Sequence, residues 1–345
     1  MHAMEILRDT LARGCCSLHK RRLDCLMNAV GAALHARSHS LSNLARALSA
    51  RTSVRHRVKC MDRLLGNGTL QRQGVAIYGA MAAQVLAGCS QPVILIDWSD
   101  LKADRSVQMI RASLALQGRS LTLLEQVCSA RQAATRGTHA RFLRHLKAIV
   151  GDQARPIIVT DAGFHAPWFA AVEQLGWHWL GRIRGRDLVR PAGDSQARWM
   201  SCRGVWAAAT ATPADLGAYE CVRSRPHACR LVLPTHACKG RHKRTVHGTR
   251  ARSKHSRKNA RAQTEPWLLA ASCSLEHLSA DAIALLYAQR MQIEQSFRDT
   301  KNARLGLGLE HSGTCAPERL AVLALIATLA QWVLALLGQW AKEGQ

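Results

Sequence analysis

Acidic side chains are scarce in this chain: 23 Asp and Glu stand against 48 Lys and Arg in 345 residues, a formal net charge of +25 with histidine neutral. That deficit points to polyanionic partners, of which nucleic acid is the commonest in a cell and an anionic membrane face is the alternative. Intrinsic disorder is excluded by a hydrophobic content of 48%. Also missing is any Cys-x-x-Cys pair, which removes the four-thiolate zinc pattern; the nearest grouping, Cys221, Cys229, His236 and Cys238, is irregularly spaced and reads as small buried hydrophobes. The opening residues, MHAMEILRDTLARGCC, lack the apolar core of a secretory signal. The 12 cysteines are therefore expected as reduced thiols of a cytoplasmic protein, not as a disulfide framework. Long apolar runs are absent but for one, Leu320 to Leu337, whose polar members are Thr328 and Gln331. It has the minimum length of a membrane span, but Gln331 and Trp332 lie inside it and no second run accompanies it. A buried C-terminal helix and no membrane are expected.

At one domain per roughly 100–200 residues the length allows about two or three compact units. Residues 1–90 read as a helical, basic, DNA-binding domain. Leu41 to Leu48 and Val54 to Leu65 look like two helices joined by a turn and stopped at Gly66-Asn67-Gly68. The second carries Arg55, Arg57, Lys59 and Arg63 interleaved with Val58, Met61, Leu64 and Leu65, so one face can pack while another meets DNA; a solvated basic helix is the plainer alternative.

From residue 91 the texture changes to strands. Pro92 to Ile96 is an apolar run ending at Asp97, and Pro156 to Thr160 repeats that arrangement before Asp161, with Gly163 leaving room and Pro167 opening a helix. Between them fall strand candidates Val107 to Ala115 and Ser120 to Val127, a hairpin at Gly118, and a helix from Ala140 to Val150. Trp177 to Ile183 completes the first part of a core spanning 91–184. Residues 185–265 form a basic, β-rich insertion. Between Lys239 and Arg261 it holds ten Lys or Arg and no acid, a solvated loop that can also order on a phosphate backbone. The core resumes over 266–345 with a strand at Trp267 to Ala271 and a long helix from about Ser279 to Lys301.

Successive helical residues turn by about 100°. On one continuous helix Tyr287, Arg290, Glu294 and Lys301 therefore share a stripe about 60° wide, next to an apolar side of Leu286, Ile293 and Phe297. Such a stripe suits a phosphate as well as it suits solvated helical ion pairs. Asp97, Asp161 and Glu294 can converge if their strands are neighbours. Three carboxylates then hold two divalent cations about 3.5 to 4 Å apart for in-line attack at phosphorus, with Mg²⁺ the suitable ion. Asp100 and Asp104, close to Asp97, read as structural or solvated.

The run Tyr287-x2-Arg290-x3-Glu294-x6-Lys301 resembles the YREK signature of the DDE transposases of bacterial insertion sequences, the branch called insertion sequence family four. Ile96 to Ser99 and Thr160 to Phe164 are similar to its two aspartate regions, Glu265 to Leu269 to the strand closing the insertion, and Arg63 to Asn67 to the N-terminal domain. The resemblance implies a ribonuclease-H-like mixed sheet flanked by helices and interrupted by the insertion. It also implies catalytic and metal-binding roles for Asp97, Asp161 and Glu294, with two Mg²⁺ ions and Mn²⁺ as a substitute. Tyr287, Arg290 and Lys301 would contact DNA near the scissile phosphate. Trp267 would stack on a flipped base, although a packed core tryptophan fits equally well.

The expected activity is cut-and-paste transposition. The chain would bind terminal inverted repeats, nick, form a hairpin and join the end to target DNA, as a homodimer associated with the nucleoid. A metal-dependent nuclease without strand transfer and a DNA-binding protein without catalysis are the rival readings.

Overall fold

The computed structural model describes the chain except Met1, Arg37, Arg186, Ser195, Ala211, residues 235–247, His255, residues 258–264, Leu305 and residues 344–345. The basic run from Lys239 to Arg261 thus lies largely outside the described residues, as do His236 and Cys238. The chain divides into two compact units, Met1–Ile158 with Gln289–Gln345, and Val159–Ala288.

The first unit begins with five helices: α1 (His2–Gly14), α2 (Lys20–His35), α3 (Leu41–Ala47), α4 (Val54–Leu65) and α5 (Gly68–Leu86). Side-chain caps set their starts. Ser40 accepts from Asn43 N–H at α3, and Ser53 from His56 N–H at α4. Gly66-Asn67-Gly68 is more than a stop, because Asn67 accepts from Leu70 N–H and so begins α5. Of these helices α1, α2, α4 and α5 pack against α11 (Pro317–Glu343), which also covers the sheet, and α3 packs on α2 and α4. That helix is long and apolar enough to cross a membrane, yet 67% of its apolar window is buried inside the protein. Each buried Leu or Ile contributes roughly 1.5–3 kcal/mol, and Leu320, Leu323, Leu325, Ile326 and Leu329 are all at most 3% exposed. Interior packing therefore accounts for the apolar run, as the sequence suggests.

The sheet of this unit is the antiparallel meander β1 (Val93–Asp100), β2 (Val107–Ala115) and β3 (Ser120–Ser129), followed by α6 (Arg136–Val150). Gly118 turns the β2–β3 hairpin with φ of 85°, a conformation open to glycine. One expectation fails here. Asp97 does not end its strand, because β2 pairs with β1 all the way to Asp100, and Asp97 sits in mid-strand opposite Arg111. On β3 the partner of Arg111 is Glu125.

The chain enters the second unit within β4 (Ile157–Thr160), whose four residues are all buried. There follow α7 (Ala166–Glu173), β5 (His178–Arg182), β6 (Leu188–Pro191), β7 (Met200–Ser201), the short α8 (Cys202–Val205), β8 (Ala214–Cys221), β9 (His227–Leu233), β10 (Leu269–Ala271) and α9 (Ala280–Ala288). In this unit β5, β10, β9, β8, β6 and β7 lie side by side, each pair antiparallel. Strands from the expected insertion thus extend the sheet next to β5 through β10. Phe169 stacks on Trp179 with ring centroids 4.1 Å apart. A Cβ on Gly181 would lie 2.8 Å from the Phe169 ring, so glycine is what lets α7 close on β5.

The long helix expected from Ser279 to Lys301 is interrupted. Gln292 N–H bonds Gln289 O and Ile293 N–H bonds Arg290 O, a tightened turn between α9 and α10 (Met291–Lys301) that resets the helical phase. All described cysteines are free thiols, and Cys221 and Cys229 of the expected buried grouping are buried. Cys15, Cys128 and Cys202 are buried too, while Cys16, Cys25, Cys60, Cys89, Cys273 and Cys315 are exposed.

Candidate active site

Two of the three expected carboxylates meet in the first unit. Arg290 donates from Nη2 to Glu294 Oε1 at 2.6 Å and from Nη1 to Asp97 Oδ2 at 3.4 Å. Its guanidinium therefore bridges the two acids. Asp97 is oriented further by accepting from Trp98 N–H at Oδ1, 2.8 Å away. The side chains of Asp97 and Arg290 are each 14% exposed and that of Glu294 42%, so the pair opens to solvent on the glutamate side. Lys301, in the last turn of the same helix, donates from Nζ to Ser99 Oγ at 2.8 Å and to Asp100 O at 3.1 Å. Burial lowers its pKa below the usual lysine value, against the opposing pull of Asp100, Glu310 and Asp97.

Arg290, Glu294 and Lys301 keep the common stripe expected of them because α10 is regular from Met291 onward. Tyr287 leaves that stripe. It is the penultimate residue of α9 in the second unit, is 3% exposed, and meets the Trp267 ring edge-on with centroids 4.9 Å apart and planes at 72°. Such an aromatic pair contributes about 0.5–1.5 kcal/mol beyond its burial. Trp267 itself is half-buried and donates its backbone N–H to Pro234 O.

Asp161 also belongs to the second unit, one residue beyond β4, where its Oδ1 accepts from Gly163 N–H at 2.8 Å. A Cβ at Gly163 would stand 3.0 Å from that oxygen, which is the room the sequence reading required. Asp100 and Asp104 have structural partners, as expected. Asp100 accepts from Gln108 Nε2, and Asp104 accepts from Ser106 N–H and Oγ–H, which holds its carboxyl below the usual range.

Of the four cations on α4, Arg55, Lys59 and Arg63 are exposed. Arg57 is not available in the same way, since its Nη1 donates to Arg46 O at 3.0 Å and Leu48 O at 2.9 Å and so caps the end of α3.

The largest omission of sequence reasoning is a buried polar cluster beneath α10. Arg111 is fully buried. Its Nε and Nη2 meet Glu125 Oε1, Nη1 donates to Ser296 Oγ at 2.7 Å, and Nη2 donates to Thr300 Oγ1 at 2.9 Å. A signal was present: one cation in apolar β2 and one acid in apolar β3 are charges that burial forces to pair.

Asp97 and Glu294 present hard oxygen donors of the kind Mg²⁺ and Mn²⁺ prefer, and they already share one positive charge. The donor chemistry fits a divalent ion. Among the described residues no three His, Cys, Asp or Glu side chains are grouped to hold a metal.

Residues 88–332 match the family model described as the transposase DDE domain. No curated protein matches the chain.

Proposed function

The chain belongs to the transposase DDE-domain family, and on that premise we propose that it cuts an insertion sequence from DNA at its terminal inverted repeats and joins the ends to a target. The observation that carries the reading is the convergence of Asp97 and Glu294, from a strand and a distant helix, on the guanidinium of Arg290. Asp161 is the third carboxylate, supported by the similarity of its segment to the second aspartate region and by the space that Gly163 leaves beside it. These residues would hold two divalent ions, Mg²⁺ or Mn²⁺. When bound, such ions activate a nucleophilic oxygen and stabilise the leaving oxygen at phosphorus.

The protein's own groups orient and balance charge. Trp98 N–H fixes one Asp97 oxygen while Arg290 holds the other, so the carboxylate faces the reaction in one orientation. Arg290 and Lys301 supply cations on one helical stripe for the phosphates flanking the scissile bond. Water attack frees a 3′-hydroxyl, which then attacks the opposite strand to leave a hairpin on the element end. Hydrolysis reopens the hairpin, and the recovered 3′-hydroxyl attacks target DNA. Trp267 supplies an aromatic face for the unstacked base at the hairpin. Its edge contact with Tyr287 sets the ring plane.

Recognition of the ends is assigned to the outward cations of α4, Arg55, Lys59 and Arg63, within the N-terminal domain of residues 1–90. A homodimer pairs the two ends. The decisive experiment is Mg²⁺-dependent cleavage and joining of end-containing DNA by the full chain. Asp161→Asn should abolish both while leaving end binding intact. Retained cleavage by that variant contradicts the assignment, and cleavage without joining to a target plasmid indicates a nuclease instead.

A further inference from the structure

Asp97, Arg111 and Glu125 face one another across the first unit's sheet: Asp97 on β1 is the register partner of Arg111 on β2, which is the partner of Glu125 on β3. Directly opposed residues of antiparallel strands point to the same face, so these three form a single row of alternating charge. Helix α10 covers that row. At its start Arg290 reaches Asp97 and Glu294 together, and one to two turns later Ser296 and Thr300 receive the fork of Arg111, while the Phe297 ring lies 4.6 Å from its Cζ.

We propose that Arg111 is a positioning residue for the reaction: by gripping Ser296 and Thr300 it fixes the axial and rotational setting of α10, and thereby the place of Glu294 over Asp97. The proposal rests on the reading of Asp97 and Glu294 as metal-binding carboxylates. Three features support it. First, the cluster is fully satisfied. Glu125 Oε2 accepts from Tyr78 Oη–H at 2.6 Å and from Thr328 Oγ1–H at 2.9 Å, while Oε1 takes Arg111, so α5, β2, β3, α10 and α11 meet at one pair of charges. Burial and Glu125 push the Tyr78 hydroxyl well above its usual range and keep it a donor. Second, stability alone is a poor reason for such a pair, since well-packed apolar residues commonly serve as well; what a buried ion pair adds is a unique arrangement. Third, the planar fork is directional. Lysine in its place would keep the charge but could not serve Glu125, Ser296 and Thr300 together.

The test is Mn²⁺ titration calorimetry on the full chain without DNA, with the melting temperature measured alongside. In Ser296→Ala/Thr300→Val the grip on α10 is cut while Arg111 and Glu125 stay paired; Arg111→Lys removes the fork. Both should weaken Mn²⁺ binding by about 10–100-fold, the usual effect of removing groups that orient metal ligands. Phe142→Ala, a fully buried residue of α6 remote in sequence from the row, serves as the comparator. It should lower the melting temperature as much and leave the Mn²⁺ isotherm unchanged. A folded Ser296→Ala/Thr300→Val protein with the wild-type isotherm overturns the proposal, and it decides the question even where Arg111→Lys fails to fold. Asp97→Asn separates the two claims. Lost Mn²⁺ binding there, with retention in the Ser296/Thr300 variant, removes only the role of Arg111. Wild-type binding by Asp97→Asn removes the carboxylate reading and the proposal together.

Discussion

Asp97 and Asp161 follow near-identical apolar runs in the sequence, but the structure holds them by opposite means. Asp97 is in mid-strand, flanked across the sheet by Arg111 and tied to Arg290 on a helix from the far end of the chain. Asp161 lies just past its strand and is oriented by a backbone N–H two residues on. One carboxylate is placed by a long-range charge network, the other by a local turn. The position of Asp97 therefore depends on the packing of the first unit, and that of Asp161 on a few residues of loop geometry.

Four variant series and one pH series probe that contrast, from the largest effect to the smallest. Asp97→Asn, Glu294→Gln and Asp161→Asn should each cost several kcal/mol of transition-state stabilisation, on the order of 10³-fold or more in cleavage rate. A much smaller loss at one aspartate would break the equivalence of the two. Next, Arg111→Met strands Glu125 and should lower folding stability by about 3–5 kcal/mol in urea unfolding. Asp161→Asn, at a carboxylate held by a local backbone N–H, should leave the urea midpoint nearly unchanged.

Gly163→Ala crowds the Asp161 carboxylate at 3.0 Å. Displacing it by a few tenths of an ångström should cost about 1 kcal/mol, roughly a fivefold fall in cleavage, with end binding intact. On α4, replacing Arg55, Lys59 or Arg63 by Ala should each lower the salt-dependence slope of DNA binding by about 1. Arg57→Ala should instead reduce stability by about 1 kcal/mol through the lost cap of α3, without changing that slope.

The smallest effect concerns Lys301, whose folded-state pKa lies below the ordinary lysine value. Between those two values the unfolded chain binds the extra proton. Its contribution to stability should therefore rise as pH increases through that alkaline window, and Lys301→Met should flatten the rise in urea midpoints.

Much of the scaffold was legible because its signals are local. Apolar runs found β2 and β4, Gly118 marked the hairpin, and Pro167 opened α7. What escaped depends on pairing at a distance. The extent of β1 is set by β2, so the apolar run alone ends it three residues early. Helical periodicity joined α9 to α10 because nothing in the composition at Gln289-Arg290 announces the tightened turn. Hence the stripe survived for Arg290, Glu294 and Lys301 but lost Tyr287 to the interior. Ser296 and Thr300 read as ordinary polar helix positions, and only the burial of Arg111 gives them meaning.

Whether Asp97, Glu294 and Asp161 serve one metal centre, as proposed, can be tested without any catalytic readout. Fe²⁺ loaded in place of Mg²⁺, with ascorbate and peroxide, cuts the backbone next to the bound ion. Cuts should cluster near residues 97, 161 and 294 in the same protein, be displaced by excess Mg²⁺ and be lost in Asp97→Asn. Cuts near 97 and 294 without 161, or a pattern unchanged in Asp97→Asn, would contradict it.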